Sequence, residues 1–260
     1  MYAIDLTGKV ALVTGAGPNN GRAIAEALGA GGATVVASDL SAEHAEEAAA
    51  SVVKAGGTAV AVPFDITDLD AVQRGVRRIE DEVGPVDILV QNAGLPSPQP
   101  GQTGGYLGPF KDSDPGLWSR WIDINMYGSM NCIRTVLAGM VDRGWGRIVQ
   151  ISSASGSRGL PIGGSVYGAS KAGIEGLLRH VAMEVAESGV RLNAVALGSI
   201  DTPGRPENDK TRLTFSRIPV HRRGRPDEVA YAVVMLASPR ASWITGATIP
   251  VGGAQGRSNT

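Results

Sequence analysis

The sequence predicts an α/β protein built on a doubly wound parallel sheet. Short runs rich in Val, Ile and Ala alternate with helical patterns, and most of these runs lack the polar alternation of a half-exposed strand. Strands of this kind are typical of parallel sheets that helices cover on both faces. The predicted strands are residues 10–13, 34–37, 59–62, 87–90, 147–151, 191–195 and 248–251.

Residues that favour helix starts follow several of these strands. The predicted starts are Ser41 for a helix over 42–54, Thr67 for a helix to about residue 83, and Asp114, followed by Pro115, for a helix to residue 141. The glycine turn after the first strand predicts a further helix to about residue 30. No internal repeat or linker interrupts the alternation, so we expect a single domain over residues 1–260.

Composition argues against several classes of protein. The chain has 260 residues, 24 basic and 25 acidic, which are spread along it and leave a net charge of −1. Without a basic surface we expect no nucleic-acid partner. The single cysteine, Cys132, excludes an intramolecular disulfide and is predicted to lie in the core. The three histidines are scattered without metal-ligand spacing, so no metal site is predicted.

The hydropathy pattern predicts neither secretion nor membrane insertion. The first residues carry an acid where a signal peptide needs its apolar centre, and they lack a basic flank. The longest uncharged stretch, residues 88–110, is interrupted by prolines and glycines, whereas a membrane span needs about 20 mainly apolar residues. We therefore expect a soluble, cytoplasmic protein.

Two long segments break the alternation of strands and helices. Residues 95–113 are rich in Pro and Gly, and residues 202–225 in Arg and Pro; they follow the fourth and sixth predicted strands. In doubly wound sheets ligands bind beyond the carboxyl ends of the strands, so both segments are candidate substrate loops. Surface insertions of no functional consequence are the alternative.

The first strand runs into a glycine-containing turn and then a helix. Gly15 and Gly21 enclose Asn19 and Asn20, and such a turn lets the backbone approach a diphosphate at the helix N-terminus. By itself the pattern is weak, because a structural turn has the same composition. Asp39 follows the second strand, where a carboxylate bonds a ribose hydroxyl and repels a 2′-phosphate, which favours NAD. A helix-start acid beside Ser41 is the alternative.

A phenol and an ammonium lie on one predicted helix face. Tyr167 and Lys171 are four residues apart, and the predicted strand 147–151 leads directly to Ser153. Since the carboxyl ends of parallel strands share one edge, we expect phenol, ammonium and hydroxyl to converge there. The alternative for Ser153 is a cap at the end of the strand.

Together these residues resemble the short-chain dehydrogenase/reductase family, in its short single-domain form with a Rossmann-like fold. The resemblance covers nearly the whole chain. The matching features are the Thr14 to Gly21 turn, Asp39, Asp65-Ile66, Asn92-Ala93-Gly94, Asn125, Ser153, Tyr167 with Lys171, Gly198 with Thr202, Ile244-Thr245-Gly246 and Gly252-Gly253.

The resemblance implies hydride transfer between a nicotinamide cofactor and a carbinol or carbonyl carbon. Tyr167 would be the general acid/base, and Lys171 would favour its phenolate and bind the nicotinamide ribose. Ser153 would bond the substrate oxygen, and Asn125 would hold a water in the proton relay. The further residues expected against the cofactor are Gly15, Asn19, Asn20, Gly21, Asp39, Asp65, Ile66, Asn92, Ala93, Gly94, Gly198, Ile200 and Thr202.

The sequence also departs from the family pattern. Asn19 replaces the usual second motif glycine, and Asn20 a usual apolar residue. Asn tolerates a left-handed backbone better than most residues, so we expect the turn to be kept. Leu197 replaces a usual proline and Val251 a usual acid. We expect Leu197 to loosen the wall around the nicotinamide amide.

The leading hypothesis is an NAD-dependent dehydrogenase of secondary alcohols or ketones. A 3-oxoacyl-thioester reductase is an alternative, although its family members use NADPH and Asp39 favours NAD. The spacing of Tyr167 and Lys171 argues against a double-bond reductase. A cofactor-binding sensor without catalysis is a third hypothesis, against which the intact set of four catalytic residues counts. The resemblance also implies a homotetramer.

Overall fold

A seven-stranded sheet lies at the centre of the protein, in the strand order β3-β2-β1-β4-β5-β6-β7, with every neighbouring pair parallel. The computed structural model describes residues 4–95, 109–159, 164–202 and 218–255. The strands are β1 Val10–Thr14, β2 Thr34–Ser38, β3 Thr58–Ala61, β4 Ile88–Gln91, β5 Gly146–Ser153, β6 Val190–Leu197 and β7 Thr248–Val251. All predicted strands are confirmed, and so is the predicted fold class.

Helices cover both faces of the sheet. They are α1 Asn20–Ala30, α2 Ala42–Lys54, α3 Leu69–Glu82, α4 Trp118–Ile122, α5 Ser129–Asp142, α6 Ala154–Ser157, α7 Ser165–Glu184 and α8 Pro226–Ala237. Buried side chains of α1, α2 and α8 form one core, and those of α3, α5 and α7 form the other. Cys132 is fully buried in the second core, as predicted, and burial raises the pKa of its thiol to about 12.

The two cores explain why the strands lack polar alternation. Successive strand residues point to opposite faces of the sheet. A sheet that is covered by helices on both faces therefore needs apolar residues at successive strand positions. In β1, Val13 enters one core and Leu12 the other, and in β2 Val35 and Val36 divide in the same way. The predicted helical cover on both faces is therefore observed.

Of the helix caps predicted at Ser41 and Thr67, the structure confirms the first and contradicts the second. Ser41 caps α2 as predicted, since its hydroxyl accepts a hydrogen bond from the His44 N–H at 3.3 Å. The prediction that Thr67 caps α3 is wrong. The cap is Asp68, whose carboxylate accepts two N–H groups of the first turn at 2.9 and 3.1 Å, while the Thr67 hydroxyl donates to Asp65.

The helix predicted from Asp114 starts as expected but does not run unbroken. The Asp114 carboxylate accepts the Gly116 N–H at 2.9 Å and begins a short 3₁₀ turn that leads into α4. Between α4 and α5 the chain forms a π-helical segment, Asp123–Gly128. Single π turns inside α-helices occur frequently at functional sites, and this one contains the buried Asn125.

The strand order creates one switch point, at β1. From β1 the chain builds outward through β2 and β3, and it then returns to place β4 on the other side of β1. The loops that follow β1 and β4 are therefore neighbours at the carboxyl edge, where doubly wound sheets bind ligands. Of the two predicted substrate loops, residues 96–108 and 203–217 lie outside the described residues.

Two further expectations concern membrane spans and metal ions. Among the helices in the described ranges, none combines the length and apolar character that a membrane crossing requires. Within the same ranges, no group of three or more His, Cys, Asp or Glu side chains is arranged to hold a metal ion.

We expect Gly189→Ala to destabilise the fold more than Gly56→Ala. Both glycines have a positive φ, +84° and +90°, which costs alanine about 1–2 kcal/mol. Gly56 has open space around it, whereas a Cβ on Gly189 would overlap the Gly144 carbonyl oxygen. This overlap should cost about 1–3 kcal/mol more. Urea denaturation of both variants measures the difference in unfolding free energy, and equal losses would contradict the prediction.

Candidate active site

The loop between β1 and α1 has little room for side chains. Gly15 has a φ of +62°, and a Cβ there would lie 2.6 Å from the Cα of Ala93. A Cβ on Gly21 would overlap the Gly15 carbonyl oxygen. Asn19 has a φ of 73°, so it adopts the positive-φ conformation that was expected of it in place of glycine. The turn is thus kept despite the departure from the family pattern.

The N-terminus of α1 suits an anionic group. The helix begins at Asn20, and the N–H groups of a first helical turn have no partner within the helix. No acidic residue lies in this turn, so no carboxylate within it opposes the positive end of the helix dipole. Asn20 also has a buried side-chain oxygen with no hydrogen-bond partner among the described residues. The helix N-terminus fits the diphosphate of a dinucleotide, whereas the Asn20 oxygen, which can only accept, would require a hydrogen-bond donor.

Asp39 is held beside this loop. Its Oδ2 accepts the Gly17 N–H at 3.1 Å, and its Oδ1 accepts the Ser41 N–H at 3.0 Å. The Nδ1 of His44 lies 3.7 Å from Oδ1. Asp39 therefore bonds at the start of α2, as the alternative interpretation proposed, and it also places a carboxylate next to the glycine loop. Each oxygen keeps a lone pair for a ribose hydroxyl.

Asp65 and Ile66 follow β3 along the chain. The Asp65 Oδ1 accepts hydrogen bonds from both the N–H and the hydroxyl of Thr67, each at 2.8 Å. Ile66 is buried, and its carbonyl oxygen accepts the Asn131 side-chain amide at 3.0 Å. Both residues are thus fixed in position. Their predicted contact with adenine stays a prediction.

The loop after β4 is bound to the loop after β1. The side-chain amide of Asn92 donates to the Gly15 carbonyl oxygen at 2.6 Å, and the Ala93 N–H lies 3.4 Å from the hydroxyl of Thr14. With the close approach of Gly15 to Ala93, these bonds fix the two loops together at the switch point. Gly94 continues from this junction towards the interior of the site.

Lys171 is the most deeply buried cation of the site. Its ammonium donates to the Ile151 carbonyl oxygen at the end of β5 at 3.0 Å and lies 5.8 Å from the Tyr167 ring centroid. Burial lowers the pKa of Lys171 to about 8, and the negative charge of Glu175 opposes this shift. At neutral pH the Lys171 amine is therefore mainly protonated. Tyr167 and Lys171 thus lie together as the spacing predicts.

Asn125 extends this group of polar side chains. Its amide nitrogen donates to the Ser170 hydroxyl at 3.2 Å, and that hydroxyl donates to the Tyr167 carbonyl oxygen at 2.8 Å. The Asn125 Oδ1 is buried and has no partner among the described residues. A Cβ added to Gly94 would lie 3.1 Å from this oxygen and 3.7 Å from the Lys171 Nζ. The Gly94 loop therefore borders both groups.

Ser153 ends β5, and both interpretations of it are compatible with the structure. Its hydroxyl oxygen accepts the Ser155 N–H at 3.2 Å and caps α6, as the alternative expected. The hydroxyl proton is still available for a further acceptor. Trp121 packs edge-on against Tyr167, with ring centroids 5.8 Å apart, and this contact restricts the tyrosine ring.

The two departures from the family pattern at the ends of β6 and β7 are paired in the sheet. Leu197 pairs with Val251 in the parallel ladder, and the Gly198 N–H donates to the Val251 carbonyl oxygen at 2.9 Å. A ladder with this register holds the segment in place without a proline. The expected loosening at Leu197 stays a prediction, because nothing in the described contacts tests it.

Ile200 and Thr202 continue from this segment. Ile200 forms an isolated parallel bridge with Gly224, and the Thr202 N–H donates to the Asp201 carboxylate at 3.0 Å. Residues 203–217 lie outside the described part of the chain. The structure therefore places both residues at the carboxyl edge, beyond β6, and their cofactor contacts stay predictions.

Several polar residues of this region were assigned no role from the sequence. Ser170 links Asn125 to the backbone of Tyr167, and Thr14 binds the loop after β4. Glu175 is buried one turn beyond Lys171. Its position eight residues after Tyr167, on the same helix face, is the signal that would have identified it.

Comparison with known proteins covers nearly the whole chain. A family model described as Enoyl-(Acyl carrier protein) reductase matches residues 16–254. A solved short-chain dehydrogenase/reductase from Serratia marcescens is 32% identical with a TM-score of 0.85, over 95% of this chain and 98% of that chain. The chain belongs to the short-chain dehydrogenase/reductase family. The resemblance inferred from the sequence is confirmed.

Relatives of this short-chain dehydrogenase/reductase are named as oxidoreductases. A 3-oxoacyl-[acyl-carrier-protein] reductase of Vibrio harveyi is 38% identical over 96% of this chain and 98% of its own. A cis-4-hydroxycyclohexanecarboxylate dehydrogenase of Sinomonas cyclohexanicum is 39% identical, with 94% and 95% covered. An acetoacetyl-CoA reductase of Shinella zoogloeoides is 37% identical, with 95% and 98% covered. The protein is thus an oxidoreductase of this family.

Proposed function

We propose that this short-chain dehydrogenase/reductase transfers a hydride between NAD and a secondary alcohol or ketone. The observation that carries the proposal is the buried Lys171 ammonium, which lies beside the Tyr167 ring and next to the Gly94 loop. These groups lie at the carboxyl edge, next to the loop and helix N-terminus that fit a dinucleotide. When bound, the nicotinamide ring supplies or accepts the hydride.

Tyr167 is the proton donor and acceptor in this proposal. A cation close to a phenol favours its phenolate form, and the Lys171 ammonium is held near the ring by the Ile151 carbonyl oxygen. The edge-on contact with Trp121 keeps the ring from turning away. The Ser153 hydroxyl donates a hydrogen bond to the substrate oxygen, and this bond positions the carbonyl for protonation.

Asn125 connects Tyr167 and Lys171 to water. Its free Oδ1 is the nearest unpartnered acceptor to the Gly94 loop, and it accepts a hydrogen bond from a water in the proposed relay. The π-helical segment explains why this amide faces the site, since a π turn changes the direction of the side chains that follow it. The relay returns protons between Tyr167 and solvent.

Asp39 selects the cofactor in this proposal. Its two hydrogen bonds to backbone N–H groups hold the carboxylate at the start of α2, where it accepts the hydroxyls of an adenosine ribose. The arginine of α1, Arg22, forms an ion pair with Glu47 at 2.6 Å. A 2′-phosphate would therefore meet a carboxylate, and NAD is preferred over NADP.

A second candidate function is reduction of 3-oxoacyl thioesters. Two of the relatives described above are named for the reduction of 3-oxoacyl and acetoacetyl groups, while the third is named for the dehydrogenation of a hydroxy acid. The proposed roles of Tyr167, Ser153 and Lys171 serve either carbonyl. Reduction rates with a panel of simple ketones and 3-oxoacyl thioesters distinguish the two candidates.

We expect Tyr167→Phe to lower turnover by about 10²–10⁴, the usual contribution of a positioned acid/base group. Ser153→Ala should reduce turnover while dinucleotide binding is retained. Tyr231→Phe, which removes an exposed phenol on α8, is the matched control and should leave turnover unchanged. Steady-state kinetics at 340 nm provide the test. The assignment fails if Tyr167→Phe keeps more than about a tenth of the wild-type rate.

We expect the unaltered protein to prefer NAD over NADP by more than about tenfold in kcat/KM, because tenfold requires only about 1.4 kcal/mol. Asp39→Asn keeps the size of the side chain but removes the charge, so the preference should fall. Asp81→Asn, at an exposed position of α3, removes a charge elsewhere and should not change it. Equal use of both cofactors by the unaltered protein would refute the role of Asp39.

A homotetramer is the proposed assembly. Several large hydrophobic side chains are exposed, among them Tyr127, Met183 and Trp243. Subunit association would cover such side chains. Light scattering at micromolar concentration should therefore report four times the chain mass of 26.8 kDa. A monomer or a dimer under these conditions would contradict the proposal.

A further inference from the structure

Glu175 is a buried carboxylate with no part in the mechanism described above. Only 4% of its surface is exposed, and burying a charge is costly unless the charge is paired and hydrogen-bonded. It lies one turn beyond Lys171 and two turns beyond Tyr167 on α7, so the three side chains share one helix face. An uncompensated carboxylate would not be expected at this position.

The contacts of Glu175 lead to the end of β5. Its Oε1 accepts a hydrogen bond from the Ser152 hydroxyl. The preceding residue, Ile151, accepts the Lys171 ammonium through its carbonyl oxygen, and the following residue is Ser153. Two successive residues of β5 are thus bound to α7 directly before the serine that is proposed to hold the substrate.

The short helix α6 encloses this carboxylate. A Cβ on Gly156 would lie 2.9 Å from the Glu175 Oε1 and 3.1 Å from the Ala172 N–H nitrogen. A Cβ on Gly168 would lie 2.9 Å from the Ser155 carbonyl oxygen. The backbones of α6 and α7 are therefore in close contact beside the carboxylate. This packing leaves the charge in a region of low dielectric, where its effect on nearby groups is strong.

Lys171 is the cation that faces this charge. Among the described residues, the other groups near it carry no counter-charge: the Tyr167 ring on its own helix, the Ile151 carbonyl oxygen on β5, and the Asn125 amide, which borders Gly94 as Lys171 does. Burial and Glu175 act on the pKa of Lys171 in opposite directions, burial lowering it and Glu175 raising it. Among the described residues, Glu175 is thus the counter-charge of the buried ammonium.

We propose that Glu175 is a positioning residue of the active site, whose buried carboxylate anchors the end of β5 through Ser152 and supplies the counter-charge of the Lys171 ammonium. The proposal rests on the proposed role of Lys171 beside Tyr167. It assigns two separate effects to one side chain. The hydrogen bond places Ser153, and the charge keeps the ammonium available to the phenol.

The charge effect is tested on the protein without cofactor or substrate. Nuclear magnetic resonance of ¹³Cε-labelled lysine follows each ammonium through its titration, and the Lys171 signal is identified by its loss in Lys171→Met. Glu175→Gln should move the Lys171 titration down by at least about half a pH unit, because the favourable charge is lost. Glu184→Gln, an exposed charge on the same helix, should not move it. An unchanged Lys171 titration in folded Glu175→Gln overturns the proposal.

Ser152→Ala separates the hydrogen bond from the charge. It keeps the carboxylate, so the Lys171 titration should shift less than in Glu175→Gln, and equal shifts in both variants would contradict the counter-charge role. Should Glu175→Gln not fold, Glu175→Met combined with Ser152→Ala removes both partners and leaves neither unsatisfied. This double variant should show the same downward shift, and the absence of a shift would overturn the proposal.

The consequence for activity appears in the pH profile. As the pH rises above neutral, the activity of Glu175→Gln should begin to fall at a lower pH than that of the unaltered protein. If the Lys171 titration moves down by about half a pH unit, the rate should be about threefold lower at pH 9 and nearly unchanged at pH 6. A uniform loss at every pH would indicate a merely structural role and would contradict the proposal. Failure of the proposed function would instead appear as an unchanged rate in Tyr167→Phe, with the Lys171 titration still sensitive to Glu175.

Discussion

The hydrogen bond from the buried Lys171 ammonium to the Ile151 carbonyl oxygen is the interaction on which the rest of the site depends. A buried ammonium loses its hydration, and the protein must replace it with dipoles and charge. The end of β5 provides the dipole, and Glu175 provides the charge. Because the same bond joins α7 to β5, it also determines where Tyr167 lies relative to Ser153. The contacts that stabilise the buried ammonium thus also determine the geometry of the proposed proton transfer.

The dinucleotide side of the site depends on the contact between two loops. Parallel strands all end at one edge, but only at a switch point do the following loops diverge and leave a crevice between their helices. Here the loops after β1 and β4 meet where Gly15 approaches Ala93, and Asn92 bonds the Gly15 carbonyl oxygen. Any side chain at Gly15 would separate them. The packing of backbone on backbone therefore shapes the groove that the N-terminus of α1 faces.

Departures from regular structure are concentrated at this edge. Asn19 has a positive φ, and residues 123–128 form a π turn with the buried Asn125 inside it. Both deviations have a cost in backbone energy, and tertiary contacts compensate for it. Buried side-chain oxygens without partners among the described residues, at Asn20 and Asn125, belong to the same region. Polar groups that folding alone leaves unsatisfied are expected where a ligand completes the hydrogen bonding.

Local sequence determined the strands, most helix starts, and the placement of Tyr167 and Lys171 on one face. These features depend on side-chain periodicity and on short-range capping, so a single sequence is enough to predict them. Tertiary structure decided the features that depend on distant contacts. The cap of α3 is at Asp68 rather than Thr67 because its carboxylate, one residue later, reaches two N–H groups of the first turn.

The π turn at Asn125, the pairing of Leu197 with Val251, and the bond between Ser152 and Glu175 had no local signal. Each depends on contacts between residues that are far apart in the chain. The burial that stabilises these contacts exists only in the folded protein.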